Sequence, residues 1–239
     1  MRIAVFSDVH GNAAALDAVL DDIAVRGVDA TVGLGDFLSG AFDPVGVADR
    51  LIEMQVPVVS GNHDRWLHEG REKDWPADKL VRAMLSERHF KWLRSMPATQ
   101  VVDGDVFMCH GTPVSDNTEW MDLFGTDGPR PASREYIEAA GAGFDHAVLL
   151  CGHTHVPRTV RLADGRLLLN PGSVGLQFVR GTTDAHYAII ERRKGAWSAQ
   201  LIAIPYDRSR AQQQALAHGF PAFAKAVETG WARLSDFQS

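Results

Sequence analysis

Apolar runs alternate with polar, helix-spaced stretches through the first quarter of the chain. Ile3 to Phe6 is uniformly apolar and predicts a buried strand ending at Ser7-Asp8-Val9-His10-Gly11. Asn12 stands where a helix cap belongs, Leu16, Val19, Leu20 and Ile23 recur at helical spacing, and Gly27 supplies the stop. Ala30 to Leu34 predicts a second strand, delivering Gly35-Asp36. Asp43 and Pro44 open another helix with apolar positions at Val47, Leu51, Ile52 and Met54. Val56 to Val59 predicts a third strand, delivering Gly61-Asn62-His63-Asp64. Such a β-α-β-α-β opening implies parallel strands with right-handed crossovers, and ligands on these sheets gather at the carboxyl ends of the strands.

Arg65 to Arg94 is polar and predicted helical, with Leu80, Met84, Leu85, Phe90, Trp92 and Leu93 as its apolar positions. Val101 to Phe107, with Asp103-Gly104 at the turn, predicts a hairpin whose second strand runs into His110-Gly111. Thr112 to Pro131 is rich in Gly, Pro and Asp and reads as a loop or lid. Ser133 to Ala140 is a short helix stopped by Gly141, and Ala147 to Cys151 is an apolar strand leading into Gly152-His153-Thr154-His155. Arg158 to Leu162 and Arg166 to Leu169 flank the turn Ala163-Asp164-Gly165, and Asn170 to Gly175 forms a tight loop. Ala185 to Ile190 and Trp197 to Ile204 read as strands, with two weak helices after them. The second half reads as mostly antiparallel, and without a linker or repeat a single α/β domain over residues 1–239 is expected.

Composition adds exclusions. Hydrophobic residues make up 45% and charged residues 23%, as in ordinary globular proteins. The net charge of −6, with no Lys/Arg run, argues against a duplex nucleic-acid partner. Met1-Arg2 runs straight into a strand without a signal-peptide pattern, and no apolar run approaches the ~20 residues that span a bilayer. A cytoplasmic enzyme without a membrane partner is therefore expected. Cys109 and Cys151 are expected as buried thiols at strand ends.

Five polar clusters each end an apolar run, and together they offer Asp8, His10, Asp36, Asn62, His110, His153 and His155. His153 and His155 alternate on what reads as an extended segment, so both rings can face one centre. Seven ligands are too many for one tetrahedral ion but suit two divalent ions sharing one ligand, and Asp8 or Asp36 can be the bridging carboxylate. Oxygen and imidazole nitrogen without thiolate favour manganese, iron or zinc. Two such ions activate a water and stabilise an in-line displacement at phosphorus. Two carboxylates against two divalent cations leave the pocket positive, which suits a small anionic phosphoester despite the acidic chain.

These blocks, Asp8-x-His10, Gly35-Asp36, Gly61-Asn62-His63-Asp64, His110-Gly111 and Gly152-His153-Thr154-His155, resemble in order and spacing those of the calcineurin-like metallophosphoesterases. Asn170-Pro171-Gly172-Ser173 is similar to a loop of the small bacterial and archaeal phosphodiesterase-like branch. The resemblance covers about residues 1 to 205. It implies a four-layer α-β-β-α sandwich of two stacked mixed sheets, and two divalent metal ions, manganese first, with iron, zinc, nickel or cobalt as alternatives. It implies Asp8, His10, Asp36 and His155 around the first ion and Asp36, Asn62, His110 and His153 around the second, with Asp36 bridging. It further implies a bridging hydroxide as nucleophile on a small phosphodiester or phosphomonoester, and His63 as the group that protonates the leaving oxygen or braces the phosphoryl group.

Departures narrow the reading. The Ser/Thr protein phosphatases of this superfamily carry an Asp-Arg pair three and four residues after the bridging Asp, where this chain has Ser39 and Gly40. Gly40-Ala41-Phe42-Asp43-Pro44 likewise replaces the Gly-Tyr-Gly-Pro-like run of many small relatives. A protein phosphatase, a nucleotide pyrophosphatase and a non-catalytic scaffold of the same fold are the rivals. Outside the blocks, His68, His89, His146, His186 and His218 read as surface or satisfied core, and Trp66 and Trp92 as core. Asp64 either orients His63 or caps a helix, and Asn12 reads as an ordinary cap before any phosphate-binding role. Trp120 and Phe124 read as packing residues with base stacking as the alternative, and Arg65, Arg130 and Arg134 are phosphate-gripping alternatives.

Overall fold

The computed structural model describes residues 1–71, 74–126, 128–177 and 181–237. Strand β1 (Arg2–Phe6) leads into α1 (Ala13–Arg26) and β2 (Ala30–Gly33). Helices α2 (Pro44–Met54), α3 (Asn62–Glu69), α4 (Pro76–Met84) and α5 (Glu87–Ser95) follow. Next come β3 (Gln100–Val102), β4 (Val106–Met108), β5 (Asp122–Gly125), β6 (Gly128–Pro131), α6 (Arg134–Ala140) and β7 (Val148–Leu150). After β8 (Arg158–Arg161), β9 (Leu167–Asn170), β10 (Ala185–Arg193) and β11 (Ala196–Ile204) lie α7 (Ser209–Ala217), α8 (Pro221–Thr229) and a 3₁₀ turn, Leu234–Phe237.

Local chemistry accounts for many boundaries. The Asn12 side chain accepts from Ala15 N, and Gly27 closes α1 at φ 63° with its N–H on Ile23 O. The Asp43 carboxylate accepts from Gly46 N at the start of α2, and the Ser133 hydroxyl from Tyr136 N at the start of α6. Asp103 and Gly104 both take positive φ, 51° and 68°, in the three-residue turn between the paired Val102 and Val106.

Two mixed sheets result, with strand orders β11-β10-β1-β2 and β3-β4-β7-β9-β8. In the first, β2 runs parallel to β1, and β10 and β11 are antiparallel. In the second, β4, β7 and β9 are mutually parallel, and β3 and β8 close the edges antiparallel. The expectation of a mostly antiparallel second half fails at this centre. The β8-β9 hairpin sets its second strand against β7, so strands that follow one another in the chain are not neighbours there. The expected third strand shrinks to one bridge, Gly33 to Val58, with hydrogen bonds from Gly33 N to Pro57 O (3.0 Å) and from Val59 N to Gly33 O (3.1 Å). Pro57 has no N–H to extend a ladder.

Strand alternation builds the layers. Ile3, Val5 and Val32 of the first sheet meet Val106, Met108, Val148, Leu150, Leu167 and Leu169 of the second in one buried cluster. The opposite face of β1, Ala4 and Phe6, packs on Leu16, Val19 and Ile23 of α1 and on Val47 and Leu51 of α2. The opposite face of the second sheet, Phe107, Leu149 and Leu168, packs on Ile137 of α6 and on Trp120. This is the four-layer α-β-β-α sandwich. Cys109 and Cys151 are buried free thiols in that outer cluster, and burial pushes both pKa values up. The Thr112 to Pro131 stretch is partly regular, carrying the β5-β6 hairpin. Helices α7 and α8 and the 3₁₀ turn make a separate cluster against Ala41, Phe42, Ala77 and Leu176.

Leu150 is fully buried between the sheets, whereas Val25 on α1 is 86% exposed. Leu150→Ala is expected to lower unfolding free energy by about 2–5 kcal/mol, and Val25→Ala by under ~0.5 kcal/mol, in urea titrations.

Candidate metal centre

Loops at the carboxyl ends of β1, β2, β4 and β7, together with the start of α3, carry the polar blocks. The first two loops are laced together by Asp8 N to Gly35 O (3.0 Å), His10 N to Asp36 O (3.0 Å) and Gly11 N to Phe37 O (2.8 Å). Asp8, His10, Asp36, His153 and His155 all adopt left-handed backbone, with φ of 55°, 49°, 55°, 69° and 59°. For non-glycine residues each such conformation costs about 1–3 kcal/mol and persists only where its surroundings enforce it. The His153/His155 pair is thus not extended as the sequence suggests. Strand alternation does not turn the two rings inward; two left-handed residues do.

Two ligand groups form. In one, ligand atoms of Asp8, His10 and His155 lie within 4.8 Å of each other, and in the other those of Asp36, His110 and His153 do. Asp8 Oδ1 is 3.3 Å from His155 Nε2 and 4.0 Å from both His10 Nε2 and His110 Nε2, so it touches both groups. Asp36 Oδ2 is 3.1 Å from His110 Nε2, while its Oδ1 accepts from His63 N at 2.8 Å. Asn62, at the first turn of α3, is buried beside them with Oδ1 lacking a hydrogen-bond partner.

Backbone carbonyls set the ring orientations. His10 Nδ1 donates to Ser39 O (2.6 Å), His110 Nδ1 to Leu34 O (2.6 Å), and His155 Nδ1 to Leu176 O. A carbonyl only accepts, so each Nδ1 carries the hydrogen; His10 and His155 then turn an Nε2 lone pair inward, while His110 Nε2 faces the Asp36 carboxylate. The His10 and His155 lone pairs then meet at 3.1 Å. Asp8 Oδ1 and Asn62 Oδ1 are buried without hydrogen-bond partners, and His110 Nε2 lies 3.1 Å from Asp36 Oδ2. Mutually facing lone pairs and orphaned oxygens suit divalent cations between them, and the donor set of carboxylate, amide oxygen and imidazole is right for such ions.

The electrostatics set His110 apart. Burial alone would lower the His110 pKa, but the Asp36 and Asp8 carboxylates outweigh it and push it up to about 10. Burial opposes ionisation of Asp36, yet the His110 and His63 imidazoles hold its carboxyl well below the usual range. Burial, joined by His110, pushes His153 down to about 4.

His63 stands just outside the ligand groups. Burial, only partly offset by the Asp36 carboxylate, pushes its pKa down to about 3. Its Nδ1 is 3.1 Å from Ser39 Oγ, that hydroxyl donates to Asp78 Oδ1, and Asp78 pairs with Arg71 at 2.9 Å. The sequence reading missed this relay: Asp78 and Arg71 lie far along the chain from Ser39, with no motif linking them. Asp64 does not orient His63. Its carboxylate accepts from Asp36 N (2.7 Å), Phe37 N (2.9 Å) and Gly61 N (3.1 Å), so it caps α3 and braces the Asp36 loop. Trp66 is not simply core: its ring stands edge-on to His63 at 4.9 Å, with the Arg71 guanidinium 4.5 Å over it.

The remaining alternatives resolve by position. Asn12 is a helix cap whose Nδ2 also donates to Gly175 O (3.1 Å). Trp120 is core, donating from Nε1 to Ile137 O at 3.0 Å. Arg65 is paired with Asp116 and Arg134 with Glu138. Of the histidines outside the blocks, His89 is buried against Asp49 and Ser86, and His218 meets Ala41 O.

Gly40 explains a departure from the protein phosphatases. A Cβ there would lie 1.9 Å from His10 O, so no side chain fits where they place Arg. A Cβ on Gly61 would meet Asp36 Oδ1 at 2.1 Å. Gly40→Ala is expected to displace the His10 loop, lowering stability by at least about 2 kcal/mol and weakening metal uptake at least tenfold, as estimated from overpacking. Denaturant titration and calorimetry with Mn²⁺ check both.

The calcineurin-like phosphoesterase superfamily domain profile matches residues 1–195. A metallophosphoesterase from Sphaerobacter thermophilus superposes with a TM-score of 0.77 at 27% identity, over 96% of this chain and 100% of that one. A hypothetical protein from Pyrococcus horikoshii OT3 shares the fold at a TM-score of 0.77 and 18% identity, over 97% and 99% of the two chains. An uncharacterized protein from Methanocaldococcus jannaschii is 26% identical over 244 residues, 92% of this chain and 93% of its own length.

Proposed function

From the premise that the chain belongs to the calcineurin-like phosphoesterase superfamily, we propose that it is a dinuclear enzyme hydrolysing a small phosphodiester or phosphomonoester. The observation that carries this reading is the meeting of two ligand groups at Asp8 Oδ1, with buried, unpartnered donors around it.

Asp8, His10, Asp36 and His155 would hold one ion, and Asp36, Asn62, His110 and His153 the other, with Asp36 shared and manganese the preferred metal. When bound, the ions supply an activated water and positive charge against the phosphoryl oxygens. The chain's own residues do the positioning. Carbonyls of Ser39, Leu34 and Leu176 keep three imidazoles aimed inward, and Asp64 fixes the peptide that presents Asp36.

His63 is the residue proposed to protonate the leaving oxygen or brace the phosphoryl group. The Ser39 hydroxyl hydrogen is committed to Asp78, so Ser39 Oγ accepts from His63 Nδ1 and leaves Nε2 for the substrate. A bound phosphoryl group's negative charge is what would offset burial and hold a proton at Nε2. Ser39 and Asp78 thereby serve as positioning residues. Ser39-Gly40 in place of Asp-Arg disfavours the protein-phosphatase reading, and the assembled ligands and His63 disfavour a non-catalytic scaffold. Among the described residues, no helix is long and apolar enough to cross a membrane.

Asp36→Asn is expected to lose both metals and all turnover of bis(p-nitrophenyl) phosphate, whereas Asp8→Asn loses one metal. The reverse stoichiometry, read by elemental analysis, makes Asp8 the shared ligand. His63→Ala should lower kcat by about 10²-fold or more with both metals retained, the usual size of a proton-transfer contribution. Asp78→Asn should lower kcat about tenfold through misorientation of His63, with KM little changed. Full kcat in His63→Ala on a poor leaving group would remove its proposed role.

A further inference from the structure

The cavity that opens from the ligand groups has a second wall made of carbon. Beyond the ligands, Ser39 and His63, it is lined by Trp75, Phe124, Leu176, Phe223 and Phe237. These come from separate parts of the chain: the cap of α4, strand β5, the loop after β9, helix α8 and the 3₁₀ turn. Phe223 and Phe237 lie beyond residue 195, outside the matched superfamily region, whereas Trp75, Phe124 and Leu176 lie inside it, so the C-terminal segment completes a wall that the matched region begins. The rings form one connected surface. Phe223 and Phe237 are 4.6 Å apart between centroids, and Phe42 backs Phe223 edge-on at 5.6 Å. Trp75 stands edge-on to His63 at 4.9 Å, which places aromatic surface directly beside the group proposed to meet the substrate.

We propose that this wall recognises a flat, uncharged aromatic group on the organic side of the phosphoester. The inference rests on the hydrolase reading only for where the phosphoryl group sits. Aromatic pairs favour offset or edge-on contacts with centroids about 4.5–7 Å apart, and a ring entering beside Trp75 and Phe223 finds such partners. None of the described residues lining the cavity is a lysine or arginine. The Arg71 guanidinium, 4.4 Å over the Trp75 ring, is already paired with Asp78, so the extra phosphates of a nucleoside polyphosphate would meet no uncommitted cation among the described lining residues, and desolvating such charges is costly. The chemistry favours one phosphoryl group carrying an aromatic substituent over a pyrophosphate chain. Phe124, one of the two aromatics between Thr112 and Pro131 considered for stacking, reaches the cavity; Trp120, the other, is buried under α6.

Calorimetry on the full chain loaded with Mn²⁺, using phenylphosphonate and methylphosphonate as non-hydrolysable probes, tests the assignment. Phenylphosphonate is expected to bind about tenfold or more tightly than methylphosphonate, given the apolar area a ring buries. Phe223→Leu and Trp75→Leu, which remove the ring but keep apolar bulk, are expected to reduce that ratio to about threefold or less. If either replacement fails to fold, Phe124→Leu at a half-buried site gives the same reading. A ratio within about twofold in the unmodified protein, one that all folded variants leave unchanged, or failure of either phosphonate to bind overturns the proposal. Because the readout is an affinity ratio, absent ester turnover counts against the hydrolase reading alone and leaves the aromatic wall standing.

Discussion

Lone pairs and carboxylates crowded into a water-poor centre repel one another unless cations lie between them, and the structure is arranged to impose that crowding. His10 and His155 face each other through unprotonated nitrogens at 3.1 Å, and Asp8 Oδ1 lies within 4.0 Å of three imidazoles. The facing nitrogens are not favourable alone. Their approach is enforced from outside, because the Nδ1 side of each ring is tied to a carbonyl on another loop.

The enforcing framework is a set of loops that hold each other. The loop after β1 hydrogen-bonds the loop after β2 by three backbone contacts. From the other side, Ser173 Oγ donates to Asp8 O at 2.7 Å, and Val174 N and Gly175 N reach Ser7 O and Asp8 O. Asn170 Nδ2 donates to Gly152 O at 2.6 Å, tying the His153 loop to the same segment. Asp64, buried near Asp36, is pushed up to about 7, first by burial and then by its neighbour's charge, although three N–H groups point at it. Left-handed backbone at five candidate ligands is sustained by this mutual bracing.

The two walls of the cavity have different origins. The ligand wall is built from strand-end loops inside the superfamily region, whereas much of the carbon wall comes from α8 and the 3₁₀ turn packed on Ala41, Phe42 and Leu176. His63 stands where they meet, its Nδ1 on the Ser39-Asp78 relay and its ring between Trp66 and Trp75.

Local pattern in the sequence was sufficient for the caps at Asn12 and Asp43, the Asp103-Gly104 turn and the strands at Ile3 to Phe6 and Ala147 to Cys151, because short-range hydrogen bonds and side-chain period decide these. It also marked the seven candidate ligands and His63, since polar residues that end apolar runs stand out in composition. Strand order was beyond it: β9 lies against β7 because of where a hairpin packs, and Pro57 curtails a run that reads as strand. The left-handed turns at His153 and His155, the bracing role of Asp64 and the Ser39-Asp78-Arg71 relay were likewise invisible. These contacts join residues far apart in the chain, and only the packing of sheet on sheet and helix on sheet brings their atoms within reach. Which residues can bind metal is a matter of side-chain chemistry, while which atoms face which is settled by the tertiary structure.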